Sequence, residues 1–443
     1  MVWTFFNIVR YTLGSMVLVT AVFLNKKVRD RRLFERNWGP RHLPQEDYSI
    51  WFHVSSEGEL EQVMPILNGL VEKQLLLDDK SLNEKMLLLF TSPSLEKKMA
   101  EIQKEKNNVD CMAFPLLNLW PWGKNSIFNL KRPKTFFMVR YDFFPELLSI
   151  GHRINNFILL SASLKNKDIS FQRNKFKKIY YKLIISSFNK VFASGPMDND
   201  RILKLFDGSM PGELYAHDFR HGQIIKRQKA QTHLEKTHCL KTFIEQARPY
   251  SLNDRMIFGS LWSSELSLFN DEFLEDLIQK KTFVLIAPHK LSGDEWDSIE
   301  EVVSSWSERG IDVAYWNQFG LRGEGNVILC QVPGLLCELY PYFVHSFVGG
   351  GHGRSVHSLL EPFWGGGHIY CGPKVQRSTE FDYVDEHSPR HLHIVRELPA
   401  LYSYYLKGKN IALDKGAREK SAEMVMTNQS QYIELFSHKE MGL

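Results

Sequence analysis

The sequence predicts an α/β chain made of two consecutive doubly wound domains, each a parallel sheet covered by helices on both faces. Three observations carry this expectation. The chain has 443 residues, and domains usually run about 100–200 residues, which leaves room for two with extensions. Short continuous apolar runs, separated by helix-length amphipathic stretches, recur along it, which is the pattern of strands buried on both faces. One polar and basic stretch, His221 to Arg255, has no strand pattern and cuts the series in two.

In chain order, Val2 to Leu24 comes first, with Arg10 as its only charge. As a helix this segment spans about 35 Å, enough for a bilayer core. Seven basic residues against two acidic ones follow between Lys26 and Arg41. By the positive-inside rule this predicts a membrane anchor at residues 1–25 with everything after it in the cytoplasm. A cleaved signal peptide would carry its basic cluster on the other side. A spanning helix and an interfacial helix both fit.

The first alternation offers strands at Ser49–Val54, Met86–Thr91, Asp110–Phe114, Thr135–Val139, Phe157–Ser161 and Lys190–Ala193. The second offers Met256–Phe258, Phe283–Ala287, Ile311–Tyr315, Val327–Leu329, Val344–Val348, His368–Cys371 and His393–Val395. The expected domains are therefore 26–222, a linker at 223–252, 253–415, and a carboxyl-terminal helix at 416–443 that packs back on the first domain. In such sheets ligands sit beyond the carboxyl ends of the strands, so two such domains are expected to face a cleft.

Composition narrows the function. Hydrophobic content of 43% and charged content of 24% are those of a globular protein with real cores. Five scattered cysteines, none in a C-x-x-C pair, predict buried thiols in a reducing compartment. The net charge is only +4. It hides two basic segments, Lys26–Arg41 and Lys165–Lys190, in an otherwise acidic chain, which points to specific anionic surfaces and away from nucleic acid. In the second segment Phe171, Phe176, Ile179, Tyr180 and Leu183 interleave with lysines; a lipid-headgroup face and a solvated lysine-rich helix fit it equally.

Three loops stand out as sites. Ser56-Glu57-Gly58-Glu59 follows the first strand. Glu59 is placed to act as a general base, yet Ser56 and Glu59 also have the spacing of a helix capping box. Arg140-Tyr141-Asp142 follows strand Thr135–Val139; it is either functional or a solvated ion pair. Gly349-Gly350-Gly351-His352-Gly353-Arg354 leads from a strand toward a helix, where glycines admit a phosphate close to the backbone and a helix start offers free N–H groups. His352 and His357 lack the acidic or cysteine partner a metal site needs, so no metal is expected.

Together these motifs resemble the 3-deoxy-D-manno-octulosonic acid (Kdo) transferases of lipopolysaccharide biosynthesis. The family pattern W-x-H-x-x-S-x-G-E stands as Trp51, His53, Ser56, Gly58 and Glu59. G-S-T-W is matched by Gly259-Ser260-Leu261-Trp262, and A-P-H by Ala287-Pro288-His289. Gly334, Leu336, Leu339 and Tyr340 match G-x-L-x-x-L-Y, and Gly349 to Pro362 matches the glycine-rich motif that ends in L-E-P. The resemblance runs from the amino-terminal apolar segment to about Pro373. Ser358 stands where the family has asparagine, Asp142 where it has glutamate, and Phe363-Trp364 where a small residue is usual.

The resemblance implies a GT-B-like pair of Rossmann-like domains and an inverting transfer of Kdo from CMP-Kdo to an anionic lipid A precursor, lipid IVA. It implies no metal and no cofactor. Glu59 would be the base, with Asp142 and Arg220 assisting. Ser56, Gly58 and Arg140 would meet the acceptor. Pro288, His289, Gly334, Leu335, Gly350, Gly351, His357, Ser358, Leu359, Leu360 and Glu361 would hold the donor. The location implied is the cytoplasmic side of the inner membrane. The departures keep two other readings open: a transferase using a UDP- or GDP-sugar, and a non-catalytic membrane-bound sugar-binding homologue.

Overall fold

The computed structural model describes residues 2–44, 46–76, 84–117, 126–140, 142–164, 175–353, 355–376, 378–413 and 415–436. Tyr141, Arg354 and residues 165–174 of the second basic segment lie outside them. The chain divides into two compact units, Met1–Arg220 with Thr427–Leu443, and His221–Met426.

The first unit is built on a seven-stranded parallel sheet. Its strands are β1 (Tyr48–Val54), β2 (Lys85–Phe90), β3 (Val109–Ala113), β4 (Thr135–Val139), β5 (Asn156–Ala162), β6 (Lys190–Ala193) and β7 (Glu213–Ala216). Their spatial order is β3-β2-β1-β4-β5-β6-β7. The sheet is doubly wound, with apolar cores on both faces: Trp51, Phe136 and Phe157 lie on one, Phe52, Phe137 and Phe192 on the other. This is why the strands are continuous apolar runs and not alternating ones. The carboxyl-terminal helix Lys415–Leu435 leads back to this sheet, where Tyr432 and Phe436 pack against Phe192.

The second unit holds β8 (Arg255–Leu261), β9 (Phe283–Pro288), β10 (Val313–Asn317), β11 (Gly320–Arg322), β12 (Val327–Cys330), β13 (His345–Val348), β14 (His368–Cys371) and β15 (Leu392–Ile394). They are ordered β11-β10-β12-β9-β8-β13-β14-β15. Only the short β11 runs antiparallel, as a hairpin on β10. Every strand expected from an apolar run is present. The two that were not expected, β7 and β11, are edge strands, whose partly exposed positions lack an apolar run.

The first helix, Val2–Leu24, departs from the spanning anchor. Among the described residues no helix is long and apolar enough to cross a membrane. One side of its first turns, from Trp3 to Arg10, is instead docked on the first unit. Trp3 is buried and donates its indole N–H to Ser187 Oγ at 2.9 Å. Asn7 bonds Ser149, and Arg10 forms an ion pair with the buried Glu146 on the helix Pro145–Gly151. Arg10 is thus a docking contact. Val2, Phe5, Phe6, Ile8 and Leu13 of the same helix remain exposed.

Candidate active site

In the first unit the carboxyl ends of β1 and β4 bring Glu59, Arg140 and Asp142 into electrostatic reach of one another. β1 ends at Val54, and the helix Glu57–Leu76 starts three residues later. Ser56 Oγ accepts the Glu59 N–H at 3.4 Å, while Glu59 Oε2 accepts the Ser55 N–H at 2.6 Å. The capping spacing is therefore used, but it engages only one carboxylate oxygen. Burial pushes Glu59 up to about 7, and the nearby negative charge of Asp142 adds to this; the Ser55 amide and Arg140 act against it. A carboxylate poised near neutral pH suits proton abstraction. Gly58 is exposed, with open space where a side chain would stand.

Arg140 follows β4 directly, with a left-handed φ of 49°. Its Nε and one Nη are buried without a partner. An unpaired buried guanidinium donor is costly, so the chemistry of this corner favours an anion. Arg220 is committed differently: its guanidinium meets Asp218 through Nε at 3.0 Å and Nη2 at 2.7 Å. His53, although part of the matching motif, is a core residue. It is fully buried, bonded to Thr91 at 2.9 Å, and held neutral by burial at about 3.

In the second unit, the carboxyl ends of β8, β9 and β13 gather the donor candidates. His289, just after Pro288, lies flat over Trp262 at 4.3 Å and over His357 at 4.2 Å between ring centres. The Trp262 indole N–H donates to His357 Nε2 at 3.1 Å. Burial lowers both histidines below the ordinary imidazole value; Lys290 adds to this at His289, and His289 itself at His357.

The glycine loop is shaped by protein backbone. Gly350 has a φ of +90°, and a Cβ on Gly351 would stand 2.6 Å from the Gly372 nitrogen. Glu265, 1% exposed, accepts the Gly350 N–H at 3.0 Å and the Trp262 N–H at 3.2 Å, tying the loop to the end of β8. Gly334, beside buried Leu335, has its carbonyl bonded by Arg227, which also pairs with buried Glu338.

The start of the helix Leu360–Gly365 is not open as expected. Glu380 accepts the N–H of Leu359 at 2.8 Å, that of Leu360 at 3.4 Å, and the Ser358 hydroxyl at 3.0 Å. A carboxylate already sits at the N–H groups assigned to a phosphate. Glu361 lies in the first turn, its carbonyl accepting from Gln228 at 2.8 Å. Sequence reasoning missed Glu265, Glu380 and the role of Trp262. Glu265 carried one faint signal, a carboxylate three residues after Trp262 at a strand end; Glu380, 22 residues beyond Ser358, carried none. All five cysteines are buried and free.

Two doubly wound units, each with its charged or glycine-bearing loops at strand carboxyl ends, define a GT-B-like α/β architecture. Solved structures agree on the fold. A glycosyltransferase from Rickettsia africae ESF-5 is similar over 89% of this chain and 99% of its own, with TM-score 0.50 and 13% identity. A UDP-GlcNAc 2-epimerase from Neisseria meningitidis is similar over 86% and 99%, with TM-score 0.52 and 11% identity.

Residues 28–210 match the family model described as 3-deoxy-D-manno-octulosonic-acid transferase (kdotransferase). A 3-deoxy-D-manno-octulosonic acid transferase of Aquifex aeolicus (strain VF5) is 24% identical over 366 residues, 77% of this chain and 83% of the relative. Within the amino-terminal unit, residues 28–210 are thus similar to the Kdo transferase family, in line with the motif around Glu59.

Proposed function

We propose that this chain is an inverting glycosyltransferase that moves Kdo from CMP-Kdo onto a sugar hydroxyl of an anionic lipid A precursor, lipid IVA. One observation carries the reading: Glu59 is buried, poised at about 7, and keeps one carboxylate oxygen outside its capping bond, beside Asp142 and the unpartnered donors of Arg140. Glu59 takes the proton of the attacking hydroxyl as that oxygen reaches the anomeric carbon. Asp142 keeps the proton affinity of Glu59 high, and Arg140 attracts an anionic group of the acceptor. Arg220, already paired with Asp218, contributes a fixed local dipole more than a free charge. The neutral stack at Trp262, His289 and His357, with Pro288, Gly334, Leu335 and the loop from Gly350 to Glu361, receives the CMP part. No metal or cofactor takes part in this scheme.

The same reading places the chain at the cytoplasmic face of the inner membrane. The exposed apolar residues of the first helix, and Phe176, Ile179, Tyr180 and Leu183 among the lysines of the helix Lys175–Ile185, suit an interfacial contact with headgroups. Trp3 supports it by joining the first helix to Ser187, two residues past that lysine-rich helix.

The experiment is incubation of detergent-solubilised protein with CMP-Kdo and tetraacyl lipid A precursor, read by mass spectrometry. The expected result is a Kdo-bearing lipid with the native chain and none with Glu59→Gln. Equal product from both removes the base assignment. Glu380 favours a second reading, because it stands where the donor phosphate was expected: a transferase with a UDP- or GDP-sugar donor. Thermal stabilisation by UDP or GDP but not by CMP would select that reading.

A further inference from the structure

We propose that Trp262 is a positioning residue that locks His357 in one neutral form, with its proton on Nδ1. His357 then presents a single, uncharged, oriented N–H donor to an oxygen of the donor nucleotide's phosphate. This rests on the donor assignment made above for the second unit, and extends it to a residue that the motif match left without a task.

The argument starts from donor inventory. An indole N–H only donates. At 3.1 Å from Trp262 Nε1, His357 Nε2 must therefore be the bare, accepting nitrogen. An imidazolium donates from both nitrogens and would turn an N–H against an N–H, so this contact excludes the charged ring as well as the other neutral tautomer. The proton is left on Nδ1. No described residue accepts from that atom, and it is not among the buried unpartnered atoms, so it is open to a ligand.

The surroundings hold both rings in register. His289 stacks over the pair, and Lys290 lies 5.8 Å from the Trp262 ring centre. The accepting edge of His357 packs on Gly350, where a Cβ would meet its Cδ2 at 2.9 Å. Glu265 ties the Gly350 and Trp262 amides to one carboxylate, which fixes the two segments on either side of the ring pair. A neutral donor fixed this way presents the same N–H, at the same charge, to a phosphate oxygen as pH varies.

The test is NMR on full-length protein with ¹⁵N-labelled histidine, comparing native chain and Trp262→Phe, with His357→Gln to assign the resonance. The native His357 is expected to show the Nδ1–H tautomer alone and to stay neutral well below the ordinary imidazole range. In Trp262→Phe, which keeps the stack and loses the N–H, it should become a tautomer mixture and titrate near the ordinary value. Added CMP, used as the probe, should shift the Nδ1–H signal in the native chain and much less in the variant. If Trp262→Phe does not fold, ¹⁵N-indole spectra of His357→Phe replace it, with the Trp262 N–H expected to move to a solvent-bonded position. An Nε2–H tautomer in the native chain, or an unmoved indole signal in His357→Phe, overturns the proposal. Neither readout requires transfer, so it stands or falls apart from the reaction assigned above.

Discussion

Two glutamates sit at matching places in the two units, and they are used in opposite ways. Each follows the first strand of its sheet, and each folds back onto a backbone amide at the strand-to-helix turn. Glu265 accepts from Trp262 and from Gly350, so it braces two segments of its unit. Glu59 accepts from Ser55 and is otherwise surrounded by burial and by the charges of Asp142 and Arg140, with its proton affinity raised to about 7. The same turn geometry yields a brace in one unit and a reactive carboxylate in the other. What separates them is the number of amides that reach the second oxygen.

The largest effect that would break this comparison is kinetic. If Glu59 is the base, transfer needs its ionised form, so kcat/KM should be flat above about pH 7 and fall tenfold per pH unit below it. Removing a general base costs about 10²–10⁴-fold. A profile with no inflection near pH 7, or a Glu59→Gln variant within tenfold of the native rate, would make Glu59 a brace like Glu265.

The stability consequences are smaller and of opposite sign. Glu265→Ala leaves the Gly350 and Trp262 amides without their partner. Hydrogen bonds to charged groups are worth about 1.5–3 kcal/mol, so a loss of about 2–4 kcal/mol is expected in urea unfolding of the full chain. Glu59 behaves the other way. Its proton affinity is higher in the fold than in the unfolded chain, so between the ordinary carboxylate range and about pH 7 the fold gains protons that the unfolded chain does not. Stability from this group is present at low pH and lost as pH rises through that window. Glu59→Gln should then be stabilising at pH 8 by about 1–3 kcal/mol while it abolishes transfer. Destabilisation by that substitution would mean that its amide contact to Ser55 outweighs its burial.

How far the sequence carried these distinctions depends on range. Both sheets were legible because a strand buried on two faces must be apolar along its buried length, as Met86–Phe90 of β2 and all of β9 are. Ser56 and Glu59 were legible as a pair because their capping contact is local. Arg10 was not: its partner Glu146 lies 136 residues away, and from the local segment alone it is one charge in an apolar helix. The Trp262–His357 bond spans 95 residues. Glu380 turned an expected phosphate site into an internally capped helix start, and no local pattern announces a carboxylate that arrives from another segment. Contacts fixed by tertiary folding alone were the ones missed.

The smallest expected effect separates the units by their buried histidines. Burial holds His345 at about 3 and His368 and His393 at about 4 on the adjacent strands β13 to β15, with His391 bonded to His368. The unfolded chain takes up these protons from about pH 6.5 downward; the native one does not until about pH 4. The stability these neutral rings contribute is therefore complete above about pH 6.5 and is lost progressively as pH falls toward 4. At pH 6, just inside the window, each of the fully buried His345 and His368 costs under about 1 kcal/mol. In the first unit the depressed histidines, His53 and His217, are on separate segments, and neither is shifted by another histidine. Hydrogen exchange read by mass spectrometry between pH 7 and 5, corrected for the intrinsic rate, should show β13 to β15 opening before β1. Equal loss of protection in both units would mean that the cluster acts as separate buried rings and that its crowding adds nothing.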